Sequence, residues 1–131
     1  MFDSKMEADY YTYLLEQEEQ GHIESLELQP VFLLQPSFKK MGRTIRKIVY
    51  KADFLVTYPD GEKVVVDVKG VLTADFKLKA KMFDYYNTKL ELKLITFYKG
   101  EWMELKQKKA LQGGTVHGKR VLPKRNRRKN V

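Results

Sequence analysis

Apolar positions recur at three- and four-residue steps between Asp3 and Gln20, with Met6, Tyr10, Tyr13 and Leu14 on one side and Glu16, Glu18 and Glu19 on the other. This spacing predicts an amphipathic helix that stops at Gly21. The pattern then loosens, and Ile23 to Phe32 suits a short extended segment broken at Pro30. β-Branched and aromatic residues dominate from Thr44 through Tyr58 and predict one long strand. Pro59-Asp60-Gly61 is a turn signal, and Lys63 to Val71 is the return strand. Thr73 or Asp75 opens a second helix reaching about Asn87, with Phe76, Ala80, Phe83 and the Leu78, Met82, Tyr85 set as its apolar face. Leu90 to Tyr98 and Glu101 to Leu105 predict two more strands around Lys99-Gly100.

The resulting order, α-β-β-β-α-β-β, predicts an α/β fold with one mixed β-sheet flanked by helices, forming a single domain over residues 1–105. The turn chemistry sharpens this expectation. Pro59-Asp60 suits a type I turn and Gly61 the left-handed position that closes a three-residue loop, so Tyr58 pairs with Glu62. Ala52/Val68, Phe54/Val66 and Val56/Val64 then share one wholly apolar face. Lys51/Lys69, Asp53/Asp67 and Leu55/Val65 share the other. A two-residue loop would pair Asp53 with Val68 and mix charge into the apolar face, so hydrophobic patterning independently selects the longer loop.

Two carboxylates directly opposed on a sheet repel each other, at about 0.2–1 kcal/mol for a cross-strand pair, and a cation would relieve that conflict. Carboxylate oxygens are hard ligands suited to Mg2+ or Mn2+, and Lys69 could offset charge at a phosphate or help to deprotonate an attacking water. The bland reading is that Asp53 and Asp67 are solvated on an open sheet face, with Lys51 and Lys69 as ordinary charge partners. Leu55 and Val65 argue instead for a covered face, most naturally under the first helix, where a buried carboxylate pair requires a partner.

Charge distribution changes the picture more than its total. The net charge is +8, yet residues 1–105 hold fifteen Lys/Arg against seventeen Asp/Glu, whereas residues 106–131 hold ten Lys/Arg and no acid. The second segment reads as a flexible basic arm that attracts DNA through its phosphates, with Lys119, Arg120, Lys124, Arg125, Arg127, Arg128 and Lys129 as contacts; the alternative is a solvated tail that aids solubility. There is no cysteine, which excludes a disulfide frame, a thiolate zinc site and a cysteine nucleophile. No apolar run approaches the ~20 residues of a membrane span and no signal-peptide pattern is present, so no membrane partner and a cytoplasmic location are expected.

Asp53, a thirteen-residue gap and then Asp67-Val68-Lys69 resemble the PD-(D/E)xK nuclease signature, with Ala52 standing where the motif has proline. The segments Phe2-Asp3-Ser4-Lys5-Met6-Glu7-Ala8, Leu26-Glu27-Leu28-Gln29-Pro30, Tyr50-Lys51-Ala52-Asp53-Phe54, Asp67-Val68-Lys69-Gly70 and Phe76-Lys77-Leu78-Lys79 together resemble small phage-type, Holliday-junction-resolvase-like nucleases. That resemblance covers about residues 2–105. It implies a restriction-endonuclease-like fold, an endonuclease acting on branched DNA or recombination intermediates, and a bacterial or phage-infected host cell. It further implies Glu7, Asp53, Asp67 and the Val68 carbonyl around Mg2+ or Mn2+, Lys69 at the nucleophile, and a homodimer if a four-way junction is resolved by paired nicks.

Other residues carry weaker signals. Ser4-Lys5-Met6-Glu7 is also a capping box, in which Glu7 reaches back to the helix start unless Asp3 caps instead. Lys77 and Lys81, one turn apart on the second helix, are candidate phosphate contacts or an ordinary solvated face. Gln29 is a candidate water or nucleic-acid contact. Tyr10, Tyr13, Tyr85, Tyr86 and Trp102 are expected in the core by their periodicity, and His22 and His117 have no expected role. The competing functional reading is a non-catalytic nucleic-acid-binding protein that relies on its basic tail.

Overall fold

The computed structural model describes residues 4–105. Ser4 caps the helix α1 (Lys5–Glu19), its Oγ accepting a hydrogen bond from the Glu7 amide at 3.2 Å, so the capping role falls to Ser4 and the half of the capping box that satisfies an orphan amide is in place. Seven strands follow: β1 (Ser25–Leu28), β2 (Val31–Gln35), β3 (Phe38–Lys40), β4 (Arg43–Ile45), β5 (Ile48–Lys51), β6 (Phe54–Thr57) and β7 (Lys63–Val68). Helix α2 (Ala74–Tyr86), capped by the Thr73 hydroxyl, leads to β8 (Glu91–Tyr98) and β9 (Glu101–Leu105).

The principal sheet has the order β1-β6-β7-β8-β9, antiparallel except for the parallel β7–β8 pair. A parallel pair needs a crossover, and α2 supplies it. Within this sheet the element order is α1-β1-β6-β7-α2-β8-β9, the α-β-β-β-α-β-β order expected from patterning. The four remaining strands form a nested antiparallel ribbon between β1 and β6, in which β2 pairs with β5 and β3 with β4.

Both faces of the sheet are covered. On one, Tyr10 and Leu14 of α1 pack on Phe54, Val56, Val64, Val66 and Ile95. On the other, Phe76, Ala80 and Phe83 of α2, with Leu34 and Tyr50 of the ribbon, pack on Val65 and Leu94. This explains why β7 reads Val64-Val65-Val66-Asp67-Val68, an almost continuous apolar run: a central strand buried on both faces has no solvent side to mark with polar residues.

From Phe54 to Lys63 the hairpin register is the expected one, with Phe54↔Val66, Leu55↔Val65 and Val56↔Val64 opposed, the Tyr58 amide donating to Glu62 at 2.8 Å and Gly61 at φ +91°. The expected pairs Ala52/Val68, Asp53/Asp67 and Lys51/Lys69 do not continue it, because the Asp53 amide bonds to Val66 and Ala52 packs on the face opposite Phe54. Three further expectations need correction. The long strand from Thr44 to Tyr58 is divided into β4, β5 and β6. The face carrying Leu55 and Val65 is covered by α2 and the ribbon, while α1 lies on the opposite face. Tyr85 and Tyr86 are 74% and 57% exposed and their rings meet edge to face; with Phe76, Ala80 and Phe83 already facing the sheet, these two neighbours at the helix end point outward. Tyr10, Tyr13 and Trp102 do form an aromatic cluster on the sheet.

Candidate active site

The break between β5 and β6 builds the site. Ala52 donates its amide to the Pro30 carbonyl at 3.1 Å, and the next amide, of Asp53, donates to Val66 at 3.2 Å. Val66 is also the partner of Phe54, so two successive residues face a single one on β7, the arrangement of a β-bulge. A bulge reverses the alternation of side chains beyond it. An unbroken strand would put Tyr50 and Ala52 on the same face as Phe54, whereas both belong to the opposite cluster, with Val65 and Phe76. Tyr50 is thereby turned under Asp67, and its hydroxyl donates a short hydrogen bond to Asp67 Oδ2.

Asp67 is 3% exposed and Thr96 is the other buried polar side chain among the described residues. The Lys69 ammonium stands 3.5 Å from Asp67 Oδ1 and 4.5 Å from the centroid of the Phe76 ring, where the ring face favours a cation. The backbone amide of Lys69 donates to Ile95 at 2.8 Å, tying the residue after β7 to the parallel strand. Asp53 lies beside Asp67, and its Oδ2 accepts the Val68 amide at 2.7 Å. Burial, followed by the charge of Asp67 and, more weakly, that of Glu7, pushes the Asp53 carboxyl up to about 8 despite the opposing Val68 hydrogen bond. A hydrogen bond between the two carboxyl groups adds to the rise. Burial and the Asp67 charge also hold the Tyr50 hydroxyl in its protonated, donating form.

Tyr50 and Lys69, the two side chains that meet Asp67, also line a cleft of about 310 Å³ together with Val49, Lys51, Thr73, Asp75, Phe76 and Lys79; Asp53 and Asp67 are not among its lining residues. The Lys79 ammonium is 3.7 Å from Asp75 in the first turn of α2. Of the residues singled out in the sequence, Asp53, Asp67 and Lys69 are brought together. Glu7 acts on Asp53 through its charge, but among the described residues no three Asp, Glu or His side chains are disposed as one metal-ligand group. Val68 contributes its amide to Asp53. On α2 it is Lys79 that borders the cleft; Lys77 and Lys81 are not among its lining residues. Gln29 has φ +52° and donates its amide to the Asp53 carbonyl at 2.9 Å, so it braces the bulge through its backbone. His22 bonds to Gln17 at 2.8 Å at the end of α1. The tail residues Lys119, Arg120, Lys124, Arg125, Arg127, Arg128 and Lys129, and His117, lie outside the described residues.

With this arrangement in view, residues 1–108 match the family described as "Protein of unknown function (DUF1064)". The chain belongs to that family. No curated protein matches it. Among solved structures it is similar to "Crystal structure of SSO0001", at 16% sequence identity and a TM-score of 0.43 over 80% of this chain, and it spans 55% of that one.

In this DUF1064 chain, Tyr50 and Lys79 are the site residues that periodicity alone does not single out. Tyr50 was legible only as a strand aromatic, because its approach to Asp67 depends on the bulge at Asp53. Lys79 follows Phe76 by three positions, the helical spacing that puts both on the side facing Lys69, and this was the signal that could have found it.

Proposed function

We propose that this protein is a Mg2+- or Mn2+-dependent DNA endonuclease that hydrolyses phosphodiester bonds. The observation that carries this reading is the adjacency of the Asp53 and Asp67 carboxyls, with Lys69 3.5 Å from Asp67 and itself lining a cleft with Lys51 and Lys79. An acid pair whose burial raises one member to about 8 is short of positive charge, and a hard divalent cation is the ligand that such oxygens fit. Two carboxylates are sufficient protein ligands for Mg2+, which retains several waters. The chemistry supplied by such a cation is activation of water and stabilisation of the leaving oxygen.

The chain's own residues have distinct tasks. Asp67 is held in one orientation by the Tyr50 hydroxyl and Asp53 by the Val68 amide, which is the positioning that ligands require. The Asp53 carboxyl, pushed up to about 8, favours its protonated form at neutral pH and would release that proton on holding a cation. Lys69 directs its charge toward the cleft, where it offsets negative charge on a phosphate. Lys51 and Lys79 draw the backbone of a polyanion to the same place. The resemblance to Holliday-junction-resolvase-like nucleases extends the proposal to branched DNA, cut by a homodimer in the cytoplasm of a bacterial or phage-infected cell.

The competing reading, nucleic-acid binding without cleavage, is favoured by one observation: Glu7 is not grouped with Asp53 and Asp67 as a third ligand among the described residues. Incubation with labelled linear, single-stranded and four-way-junction DNA in Mn2+ separates the two. Cleavage that is lost in Asp67→Ala and Lys69→Ala, with DNA binding largely retained, supports the nuclease; unchanged cleavage by Asp67→Ala, or no cleavage of any substrate in either metal, refutes it.

A further inference from the structure

The ribbon inserted between β1 and β6 carries a charge imbalance that chain-wide counting conceals. Residues 4–105 hold fifteen Lys/Arg and sixteen Asp/Glu; residues 31–51 contain six of the fifteen (Lys39, Lys40, Arg43, Arg46, Lys47 and Lys51) and none of the sixteen. The rest of the described chain is therefore acidic, and the ribbon is a cationic projection on it. All six side chains are exposed, and among the described residues none of the six has a carboxylate at ion-pair distance, whereas Lys5, Lys69 and Lys79 elsewhere in the chain pair with Asp9, Asp67 and Asp75.

The base of the ribbon and its tip are built differently. At the base, Phe32, Leu34 and Tyr50 pack against α2, with Phe32 and Tyr50 meeting Phe83 edge to face. Beyond the register shift between Leu33 and Gln35, the pairs Phe38↔Ile45, Lys39↔Thr44 and Lys40↔Arg43 are closed by Met41 and Gly42, both at positive φ, the two-residue turn that matches strand twist. This tip has no buried residue. Phe38 and Met41 are 43% and 88% exposed, which no requirement of the core explains. The base, in contrast, ends in Tyr50 on Asp67 and Lys51 in the cleft, so whatever the tip holds is continuous with the site.

We propose that the β2–β5 ribbon is a docking arm for double-stranded DNA, with its tip in the major groove. From Gln35 to Met41 it reaches roughly 20 Å at ~3.3 Å per residue, and the B-form major groove, about 12 Å wide and 8.5 Å deep, admits a two-stranded β-ribbon. Lys39, Lys40, Arg43 and Arg46 then meet phosphates, while Phe38 and Met41 offer apolar contact to base edges. A duplex RNA is a poor fit, since its major groove is deep and narrow. This assignment deepens the nuclease proposal by naming the substrate-holding element.

The test uses the full chain in EDTA, with fluorescence anisotropy of a labelled DNA duplex measured across salt concentrations. Each phosphate contact contributes about 0.9 to the slope of log K against log salt. The variant carrying Lys39→Gln, Lys40→Gln, Arg43→Gln and Arg46→Gln should lower that slope by about 2–4 and weaken binding tenfold or more near 150 mM salt, with an unchanged circular dichroism spectrum. The charge-conserving pair Lys39→Arg and Lys40→Arg should retain the slope. A slope unchanged in the fourfold variant, or an equal loss of affinity for a duplex RNA of the same sequence, overturns the arm. Parallel cleavage assays in Mn2+ separate the two proposals: a lowered slope without cleavage by the parent protein supports the arm and refutes the nuclease, whereas cleavage with an unchanged slope refutes the arm alone.

Discussion

The Asp53 carboxyl accepts the Val68 amide at 2.7 Å, one residue past the Asp67 whose side chain lies beside it. This bond fills the place of a ladder interaction that the bulge removes, and it turns Asp53 toward Asp67. The local irregularity therefore does two things at once: it aims a carboxylate at its neighbour and, by reversing side-chain alternation, swings Tyr50 beneath the same pair. Bulges beside active sites commonly re-aim side chains in this way.

Tyr50→Phe removes a hydroxyl that donates to the buried Asp67 and keeps the ring packing against Phe76 and Phe83. A hydrogen bond to a charged acceptor contributes about 1.5–3 kcal/mol, so chemical denaturation should report a loss of this order. Isothermal titration with Mn2+ should show affinity reduced about 10–100-fold, the usual cost of losing a partner that orients a ligand.

Asp53 makes stability depend on pH in a stated direction. Its folded-state value, about 8, lies above the unfolded value of about 3.9, so its contribution is fully present below about pH 4 and is lost as pH rises through about 8. In the presence of a chelator, the melting temperature of the parent protein should fall relative to that of Asp53→Asn between these limits. Parallel curves for the two proteins would assign the proton to another group.

Glu7→Gln keeps the side-chain length and the Ser4 cap, which uses the backbone amide, but removes a negative charge that raises Asp53. The carboxyl carbon of Asp53 should titrate at lower pH in this variant, as followed by 13C NMR. Helix stability should fall by about 0.3–1 kcal/mol, the usual value of an acid in the first turn.

Gly61 stands at φ +91° with open space where a Cβ would project. Gly61→Ala should therefore cost about 1–2 kcal/mol from backbone conformation alone. Equilibrium unfolding measures this, and a substitution without cost would show that the loop can close in another conformation.

Phe54 is fully buried and lies between Tyr10 and Tyr11, with ring centroids 6.0 and 6.1 Å away. Phe54→Ala should destabilise the protein by about 3–5 kcal/mol, measured by urea denaturation. Because Phe54 is the residue after Asp53, a greater loss of Mn2+ affinity than of stability would trace the effect to a displaced bulge.

The hairpin register was legible because Pro59-Asp60-Gly61 and the valines of β7 agree: turn chemistry and alternation are local properties, and each excluded the competing loop length. The β8–β9 hairpin and both helices were legible for the same reason. The single long strand was not, because Thr44 to Tyr58 has uniformly high strand propensity and nothing in its composition marks where pairing changes partner from β2 to β7. The helix assigned to cover Leu55 and Val65 was wrong because the α1 and α2 stripes are both apolar, and patterning does not say which stripe meets which face.

By itself, the sequence determined the α-β-β-β-α-β-β order, the hairpin register from Phe54 to Lys63, and the placement of Asp53, Asp67 and Lys69 near one another at the open end of that hairpin, all set by side-chain periodicity and one turn. Only the tertiary structure decided the bulge at Asp53, the approach of Tyr50 to Asp67, the choice of Lys79 for the cleft and the projection of a cationic ribbon. These depend on which backbone groups find partners across the sheet, as when Ala52 bonds to Pro30 and Asp53 to Val66, and such pairing joins residues far apart in the chain, beyond the reach of local patterning.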